Sequence, residues 1–248
     1  MHPALEFQAH RPWPLPGRPW TWRQSWLDLA FLHYPVPAAL IRERLPAGLS
    51  VQEFDGSAWL GVVPFRMAGV MRRPWPDLPG FSSFPELNLR TYVEADGKPG
   101  VWFFSLDADS WPIVLGGRHL YRLPYHRARM RQLRAGEGFD FTSERRTGTA
   151  RFSATYRPTG GLLTASPGSF EHWATERYCL YAAARRGGLS RVEVHHAPWP
   201  LRRAEVDIRE NSVLAAAGLE PGRAQPICHF STGVHVVSYA PDQVGPHR

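Results

Sequence analysis

Proline and glycine divide this chain into short segments, and this punctuation constrains its fold more than any other feature. The 248 residues include 24 prolines and 22 glycines, spread along the whole sequence. Such spacing favours short strands and turns over a helical bundle. With 43% hydrophobic residues, the chain can bury a sizeable core. We expect one domain over residues 20–240 rather than two small ones. A Pro- and Arg-rich arm over residues 1–19 is expected to lie extended on its surface.

Turn signals separate β-prone runs along most of the chain. Asp55-Gly56 is the strongest short hairpin signal, and residues 96–100 mark a second tight turn. Residues 69–83 are rich in proline and glycine, which predicts a loop that would cover a pocket. The predicted strands span residues 20–34, 51–54, 57–65, 84–95, 101–107, 125–134, 138–145 and 149–157, with more strands in 189–240.

Four segments predict helices. The clearest pattern covers residues 166–186, where apolar and aromatic residues recur at spacings of three and four before Gly187-Gly188. The other predicted helices span residues 38–45, 109 or 110 to 121, and 211–217. Hairpins with a few helices indicate an α+β fold, mainly an antiparallel sheet or barrel with peripheral helices.

The charge balance is basic and rests on arginine. The formal net charge is +7, and Lys98 is the only lysine. The arginines form no block or arm, which argues against nucleic acid as the main partner. Arg127, Arg129 and Arg131 alternate with apolar residues, and the pattern predicts a solvated strand face.

No run of consecutive apolar residues approaches the length of a membrane span, and the first residues lack the apolar core of a signal peptide. The sequence therefore predicts a cytoplasmic protein with no membrane partner. Cys179 and Cys228 lack CxxC spacing and are expected to be buried, reduced thiols. The exposed sheet edges of such a fold would permit a homodimer.

Several signatures of known chemistry are absent. The sequence has no GxGxxG after a strand, no GxxxxGK[ST], no HExxH and no GxSxG. These absences argue against dinucleotide-binding, P-loop, zincin and α/β-hydrolase functions.

Histidines 195, 196, 229 and 235 suggest a metal site at first sight. His195 and His196 are adjacent, so in a strand they point to opposite faces and cannot easily share an ion. His229 and His235 flank a predicted turn at residues 231–233 and would be cross-strand neighbours. Because no third ligand or HxH spacing is present, we predict no metal site and no cofactor.

The strand over residues 84–93 separates polar from apolar residues by strict alternation. Glu86, Asn88 and Arg90 share one face, whereas Leu87 and Leu89 share the other. One interpretation is a solvent-facing sheet with an exposed Glu86–Arg90 pair. The alternative is a cavity wall where a carboxylate, an amide and a guanidinium converge on a small ligand. Arginine would suit a carboxylate or phosphate there.

The predicted helix over 166–186 also leaves two interpretations open. Its spacing places Glu171, Arg177 and Tyr178 nearer the Trp173 face, with Glu176 to one side. The simpler interpretation is a packing helix with an ion pair. Alternatively, Glu176 or Tyr178 reaches the rim of a cavity.

Five segments together carry a family resemblance: residues 86–93, 100–107, 116–126, 176–178 and 195–199. In this order they resemble the YqjF-like family of uncharacterised bacterial proteins, over roughly residues 20–240. That family looks like a distant branch of the acetoacetate decarboxylase superfamily. The resemblance implies a closed, conical antiparallel sheet around an apolar cavity, with helices outside.

This sequence departs from the superfamily pattern at the position of the nucleophile. In acetoacetate decarboxylases a Gly-Arg-Glu segment leads through Gly-x-Pro to paired lysines, one of which forms the Schiff base. Here Gly117-Arg118-His119 leads to Pro124, and Tyr125-His126 occupy the lysine positions. Lys98 lies in a turn, where we expect it to be solvated rather than desolvated as an amine nucleophile must be. We predict no Schiff-base decarboxylation.

The resemblance and the residue types together name the candidate site. Glu86 is similar in place to the pocket glutamate of the decarboxylases, and Tyr125 or His126 would donate hydrogen bonds or transfer protons. Alternation turns only one of that pair inward. The candidate ligand-binding residues are Asn88, Arg90, Arg118, His119, Glu176, Tyr178 and His195. We expect binding of a small acidic molecule, either in acid–base catalysis on a carboxylate or oxo compound or in a non-catalytic binding or sensing module.

Overall fold

The computed structural model describes residues 2–75, 82–184, 187–222 and 224–245. Within these ranges the chain forms thirteen strands, four α-helices and one 3₁₀ turn at Pro3–Leu5. The strands are β1 (Trp22–Val36), β2 (Ser50–Val51), β3 (Ala58–Arg72), β4 (Phe84–Ala95), β5 (Lys98–Ala108), β6 (Tyr125–Ala135), β7 (Gly138–Arg145), β8 (Arg151–Thr159), β9 (Cys179–Ala183), β10 (Leu189–His196), β11 (Leu201–Asn211), β12 (Ile227–Ser238) and β13 (Asp242–Val244). The helices are α1 (Ala38–Arg42), α2 (Trp111–Leu120), α3 (Phe170–Thr175) and α4 (Val213–Ala216).

All these strands belong to one sheet that closes on itself in two circuits. The circuits share the wall β12-β1-β3-β4-β5. One returns through β6, β7, β8 and β11, and the other through β9 and β10. The pairings are antiparallel except β5–β6 and β5–β9. This ring-like, mainly antiparallel sheet with few helices confirms the predicted α+β class.

The shared wall supplies side chains to two cores because successive residues of a strand point to opposite faces. In β1, Leu32 packs in the core of the nine-strand circuit, whereas Phe31 packs in the core of the seven-strand circuit. We call these the first and second core. In β4, Leu87 and Leu89 belong to the first core. The neighbouring positions of β4 therefore face the second core.

The predicted helix over residues 166–186 is wrong beyond Thr175. Ser169 caps α3 by accepting a hydrogen bond from the amide of His172, and the backbone leaves the helical conformation at Glu176. Residues 179–183 instead pair with β10 on one side and β5 on the other. Two strands that supply hydrogen-bond partners outweigh a helical periodicity of the side chains. The other three predicted helices are confirmed as shorter elements, α1, α2 and α4.

Both Asp-Gly turns form, but only one joins the predicted strands. Asp96 and Gly97 take positive φ angles of 51° and 68° and link β4 directly to β5. Asp55-Gly56 also turns with positive φ, but it closes a single bridge between residues 54 and 57. Val51 pairs with Val93 of β4 rather than with β3. Of the predicted loop over 69–83, residues 69–72 belong to β3 and residues 76–81 lie outside the described residues.

The N-terminal arm packs more closely than the sequence suggests. Ala4 is buried, and so is the Arg11 side chain, which forms an ion pair with buried Glu193. Trp13 Nε1 donates to the same carboxylate at 2.7 Å. Lys98, expected to be solvated, also donates to it at 2.9 Å. A buried carboxylate needs such partners because its desolvation is costly. Glu193 therefore binds both the N-terminal arm and the only lysine.

Other local predictions have mixed outcomes. Cys179 is a buried free thiol as predicted, whereas Cys228 is only half-buried. Arg127, Arg129 and Arg131 are exposed along β6, as expected. The predicted turn at 231–233 is wrong, because β12 runs without a break from 227 to 238. In the part of the chain that the structure describes, no helix has the length and apolar character to cross a membrane.

Candidate functional site

A cavity of about 190 Å³ lies within the second core. Strands β3, β4, β5 and β10 and helix α2 each contribute to its wall. Most of the wall is apolar, and its large aromatic side chains are Trp22, Trp26, Phe65, Phe84, Phe103 and Trp199. Polar side chains interrupt this surface, among them Glu86, Asn88, Arg90, Tyr125, Arg177 and His196. Few polar groups in a mainly apolar cavity are typical of a small-molecule site.

Strand β4 turns its polar face to this cavity. Glu86, Asn88 and Arg90 line it, and Glu86 is only 2% exposed. The solvent-facing interpretation of the strand is therefore wrong. The Oδ1 atom of Asn88 and the Nε atom of Arg90 are buried and have no hydrogen-bond partner in the part of the chain that the structure describes. Buried polar atoms without hydrogen bonds destabilise a fully packed core.

Burial changes the ionisation of Glu86. Removal from water raises the pKa of its carboxyl group to about 8, although the hydrogen bond from Tyr125 opposes the shift. The Tyr125 hydroxyl donates to Oε2 of Glu86 at 3.2 Å. The pKa of Tyr125 is itself raised well above its usual value, mainly by burial. At neutral pH both groups hold their protons, so the cavity contains a neutral carboxylic acid.

Helix α2 sets the position of Tyr125. A Cβ atom on Gly117 would lie 2.3 Å from Cδ2 of the Tyr125 ring, so only glycine leaves room for it. The next residue, Arg118, donates from Nε to the Tyr125 carbonyl oxygen at 2.6 Å. His126 is not part of the described cavity wall; burial, with Arg145 and Arg118 nearby, lowers its pKa to about 4. Of Tyr125 and His126, Tyr125 is the one that lines the described cavity.

Two guanidinium groups lie over one tyrosine ring. The Cζ atoms of Arg177 and Arg90 are 5.1 and 5.7 Å from the centroid of the Tyr92 ring. Arg177 donates to the carbonyl oxygen of Trp173 and to Oε1 of Gln52, but its Nη2 atom is buried and finds no partner within the described ranges. Neither arginine forms an ion pair with a carboxylate among the described residues. Burial, with Arg90 nearby, lowers the pKa of Arg177 to about 10.

A neutral histidine supports the Tyr92 ring. His33 is fully buried, and its Nε2 atom lies 2.6 Å from the Tyr92 hydroxyl oxygen, within hydrogen-bond distance. Burial lowers the pKa of His33 well below its usual value, and the positive charge of Arg90 adds to this. His33 therefore orients the ring without placing a third positive charge beside the two arginines.

The remaining sequence-predicted site residues are not in the described wall of the cavity: Arg118, His119, Glu176, Tyr178 and His195. The Tyr178 hydroxyl group donates a hydrogen bond to the carboxyl group of Glu176, and the Tyr178 ring stacks on His196 with centroids 4.9 Å apart. His195 points to the arm, where Nε2 lies 3.0 Å from the carbonyl oxygen of Phe7. Burial, with Arg11 nearby, lowers the pKa of His195 to about 4.

Among the polar and aromatic residues of the wall that sequence reasoning missed are Arg177, His196 and Trp199. Arg177 was assigned to a helix with an ion pair, but Glu171 lies 3.4 Å from His229 instead. The signal that pointed to His196 and Trp199 was their presence in one of the five resemblance segments. Because these residues come from a separate hairpin and its following loop, only the closed sheet brings them to β4.

Solved structures share this fold. Acetoacetate decarboxylase from Legionella pneumophila has a TM-score of 0.64 at 14% identity, covering 94% of this chain and 93% of that protein. The enduracididine biosynthesis enzyme MppR, complexed with pyruvate, has a TM-score of 0.66 at 14% identity, covering 99% and 98%. An acetoacetate decarboxylase-like enzyme from Sphingomonas wittichii RW1 has a TM-score of 0.62 at 13% identity, covering 95% and 99%. Identities this low establish the fold alone.

Sequence comparison is more specific. The uncharacterised protein YqjF of Bacillus subtilis (strain 168) is 40% identical over 218 residues, which is 88% of this chain and 90% of YqjF. The DUF2071 family, described as an uncharacterised conserved protein, matches residues 23–235. The chain therefore belongs to the DUF2071 family and has an acetoacetate decarboxylase-like fold.

Proposed function

We propose that the protein binds a small carboxylic acid or oxo acid in this cavity and acts on it by acid–base chemistry, with Glu86 as the proton-transferring group. One observation carries the proposal. A single, largely apolar cavity contains two guanidinium groups that form no ion pair with a carboxylate among the described residues, and one buried carboxyl group whose pKa burial raises to about 8.

The anion site would be formed by Arg90 and Arg177. Two like charges beside one ring repel each other, and buried cations without anions are costly. An incoming carboxylate would offset both costs. It would accept hydrogen bonds from Nε of Arg90 and Nη2 of Arg177, the buried donors of these two arginines that have no partner among the described residues. Arginine's planar fork suits this type of pairing.

Glu86 would supply the proton. A carboxyl group with a pKa of about 8 gives up and regains a proton readily near neutral pH. It would donate to a carbonyl oxygen of the bound ligand, and the carboxylate so formed would take the proton back when the oxygen releases it. Tyr125 would hold Oε2 of Glu86 in place throughout.

The covalent route of the decarboxylases is not part of this proposal. Lys98 is paired with Glu193 and is absent from the described wall of the cavity. The oxo acid class is supported by two structural relatives, an acetoacetate decarboxylase and an enzyme complexed with pyruvate. The chemistry proposed here uses protons rather than an amine.

A ligand screen tests the anion site. Thermal shift with pyruvate, acetoacetate and short carboxylic acids should raise the melting temperature of the wild type. Arg177→Met and Arg90→Met should each lose that response, whereas Arg129→Met, an exposed arginine on β6, should keep it. An undiminished response in both cavity variants would refute the anion site.

A turnover assay then tests Glu86. Each acid that binds is incubated with the protein and followed by NMR for any product. Glu86→Gln should abolish turnover while it leaves the far-UV circular dichroism and the acid-induced thermal shift unchanged. Turnover at the wild-type rate in this variant would refute the role of Glu86.

Non-catalytic binding is the second candidate, and the state of Cys179 fits it because it disfavours covalent catalysis by this thiol. Burial raises the pKa of this thiol, which lies at the cavity wall, to about 12. The thiol is therefore a poor nucleophile. A ligand that binds tightly and is recovered unchanged after long incubation would support a sensing or binding module.

A further inference from the structure

We infer that the cavity takes a monocarboxylic oxo or hydroxy acid with an aromatic or similarly bulky apolar body, rather than an acid of three or four carbons. This inference rests on the proposed function, because it assumes that Arg90 and Arg177 hold a carboxylate. It adds the chemical class of the remainder of the ligand.

The size of the cavity is the first observation. At about 190 Å³ it exceeds the volume of roughly 150 Å³ in which an apolar engineered cavity holds a benzene ring. Pyruvate or acetoacetate would leave a large part of the apolar wall uncovered. Water fills such space poorly because apolar walls provide no hydrogen bonds. A benzene-sized group attached to the acid would fill it.

The shape of the wall is the second observation. The indole rings of Trp26 and Trp199 stack with centroids 6.0 Å apart and planes 15° from parallel. Trp199 also meets Phe31 edge to face at 5.1 Å. Flat aromatic walls of this kind favour flat apolar ligands, which gain from offset stacking and from edge contacts.

Two further polar atoms of the wall indicate that the ligand carries an oxygen-containing group between its carboxylate and its apolar body. Among the described residues, Nε1 of Trp26 is a buried donor without an acceptor, and Oδ1 of Asn88 is a buried acceptor without a donor. Both residues line the cavity. A carbonyl oxygen would accept from Trp26 or from the neutral Glu86, and a hydroxyl or enol group would also donate to Asn88.

Four compounds separate these features, with binding measured by calorimetry on the full chain. Phenylpyruvate carries the carboxylate, the oxo group and the ring. Pyruvate lacks the ring, 3-phenylpropionate lacks the oxo group, and phenylacetone lacks the carboxylate. We expect phenylpyruvate to bind at least about a hundredfold more tightly than pyruvate, because the ring buries six additional carbons. The other two compounds should each bind at least about tenfold more weakly than phenylpyruvate.

The outcomes distinguish this inference from the proposed function. Pyruvate binding as tightly as phenylpyruvate would overturn the inference and leave the anion site intact. Phenylacetone binding as tightly as phenylpyruvate, or no binding by any acid, would overturn both. Equal binding of 3-phenylpropionate and phenylpyruvate would overturn the assignment of an oxo or hydroxy group.

A matched pair of variants on α2 provides a second measurement. Ile113 lines the cavity, whereas Leu115 on the same helix is 42% exposed. Ile113→Trp should narrow the cavity and weaken phenylpyruvate at least about tenfold more than pyruvate. Leu115→Trp should change neither affinity. Equal weakening of both acids by Ile113→Trp, in protein that melts cooperatively, would contradict the inference, and the ligand series remains decisive if that variant does not fold.

Discussion

The hydroxyl group of Tyr125 lies 3.2 Å from the carboxyl group of Glu86 and donates to it. This contact joins β6 to β4 across the intervening strand β5. It places a neutral phenol, rather than a lysine or arginine, beside the buried acid. Burial keeps the proton on the carboxyl group at neutral pH, although the contact with Tyr125 favours the charged form, and several measurable properties depend on that proton.

Glu86 should make the stability of the protein fall as the pH rises. Its pKa is about 8 in the folded protein, against 4.5 as its ordinary value. Between these pH values only the folded state holds the proton, so the free energy of unfolding declines by up to about 1.4 kcal/mol per pH unit. Urea unfolding from pH 5 to pH 9 should show this decline in the wild type, and Glu86→Gln should remove it. Glu137→Gln, in an exposed turn, serves as the control. An equal decline in wild type and Glu86→Gln would contradict the assignment.

Tyr125→Phe should raise the pKa of Glu86 further. The tyrosine hydroxyl favours the charged form of the carboxyl group, and its loss leaves burial unopposed. Infrared titration of the protonated carboxyl band should show a higher midpoint in this variant. The loss of that band in Glu86→Gln identifies it as the band of Glu86. Tyr121→Phe, which removes another hydroxyl at the cavity wall, should leave the midpoint unchanged. A lower midpoint in Tyr125→Phe would mean that the hydroxyl does not donate to Glu86.

Adjacent glycines in α2 should respond in opposite ways to alanine. At Gly117 the new Cβ would overlap the Tyr125 ring, so we expect a loss of about 1–3 kcal/mol in unfolding free energy and a changed pKa of Glu86. At Gly116 the new Cβ meets no atom within 4 Å. Gly116→Ala should therefore stabilise the helix by about 0.5–1 kcal/mol. Similar effects of the two substitutions on urea unfolding would show that the ring has room to move.

The two partners of the buried ion pair that holds the arm, Arg11 and Glu193, should contribute unequally to stability. Glu193→Gln leaves the Arg11 guanidinium buried without an anion, which we expect to cost about 3–5 kcal/mol of unfolding free energy. Arg11→Met should cost less, because Glu193 keeps Lys98 and Arg191 as partners. Urea denaturation of the two variants measures the difference. A larger loss for Arg11→Met would mean that the packing of the arm, rather than the charge on Glu193, dominates.

Local features of the fold could be read from the sequence because they depend on neighbouring residues. The alternation in β4, the Asp96-Gly97 turn and the start of α2 after Ser110 all follow from backbone geometry within a few residues. The end of α3 could not be read in this way. Residues 179–183 have a helical spacing of side chains, but β5 and β10 are present on either side to pair with them.

By itself, the sequence determined that one face of β4 is polar and the other apolar, and that a tight turn next to the only lysine joins two strands of a hairpin. The tertiary structure decided that the polar face meets a cavity instead of water, and that Arg177 joins Arg90 over Tyr92. The reason is that side-chain alternation is a property of a single strand, whereas burial depends on distant strands closing around it. The raised pKa of Glu86 follows from that closure, since burial is its main cause.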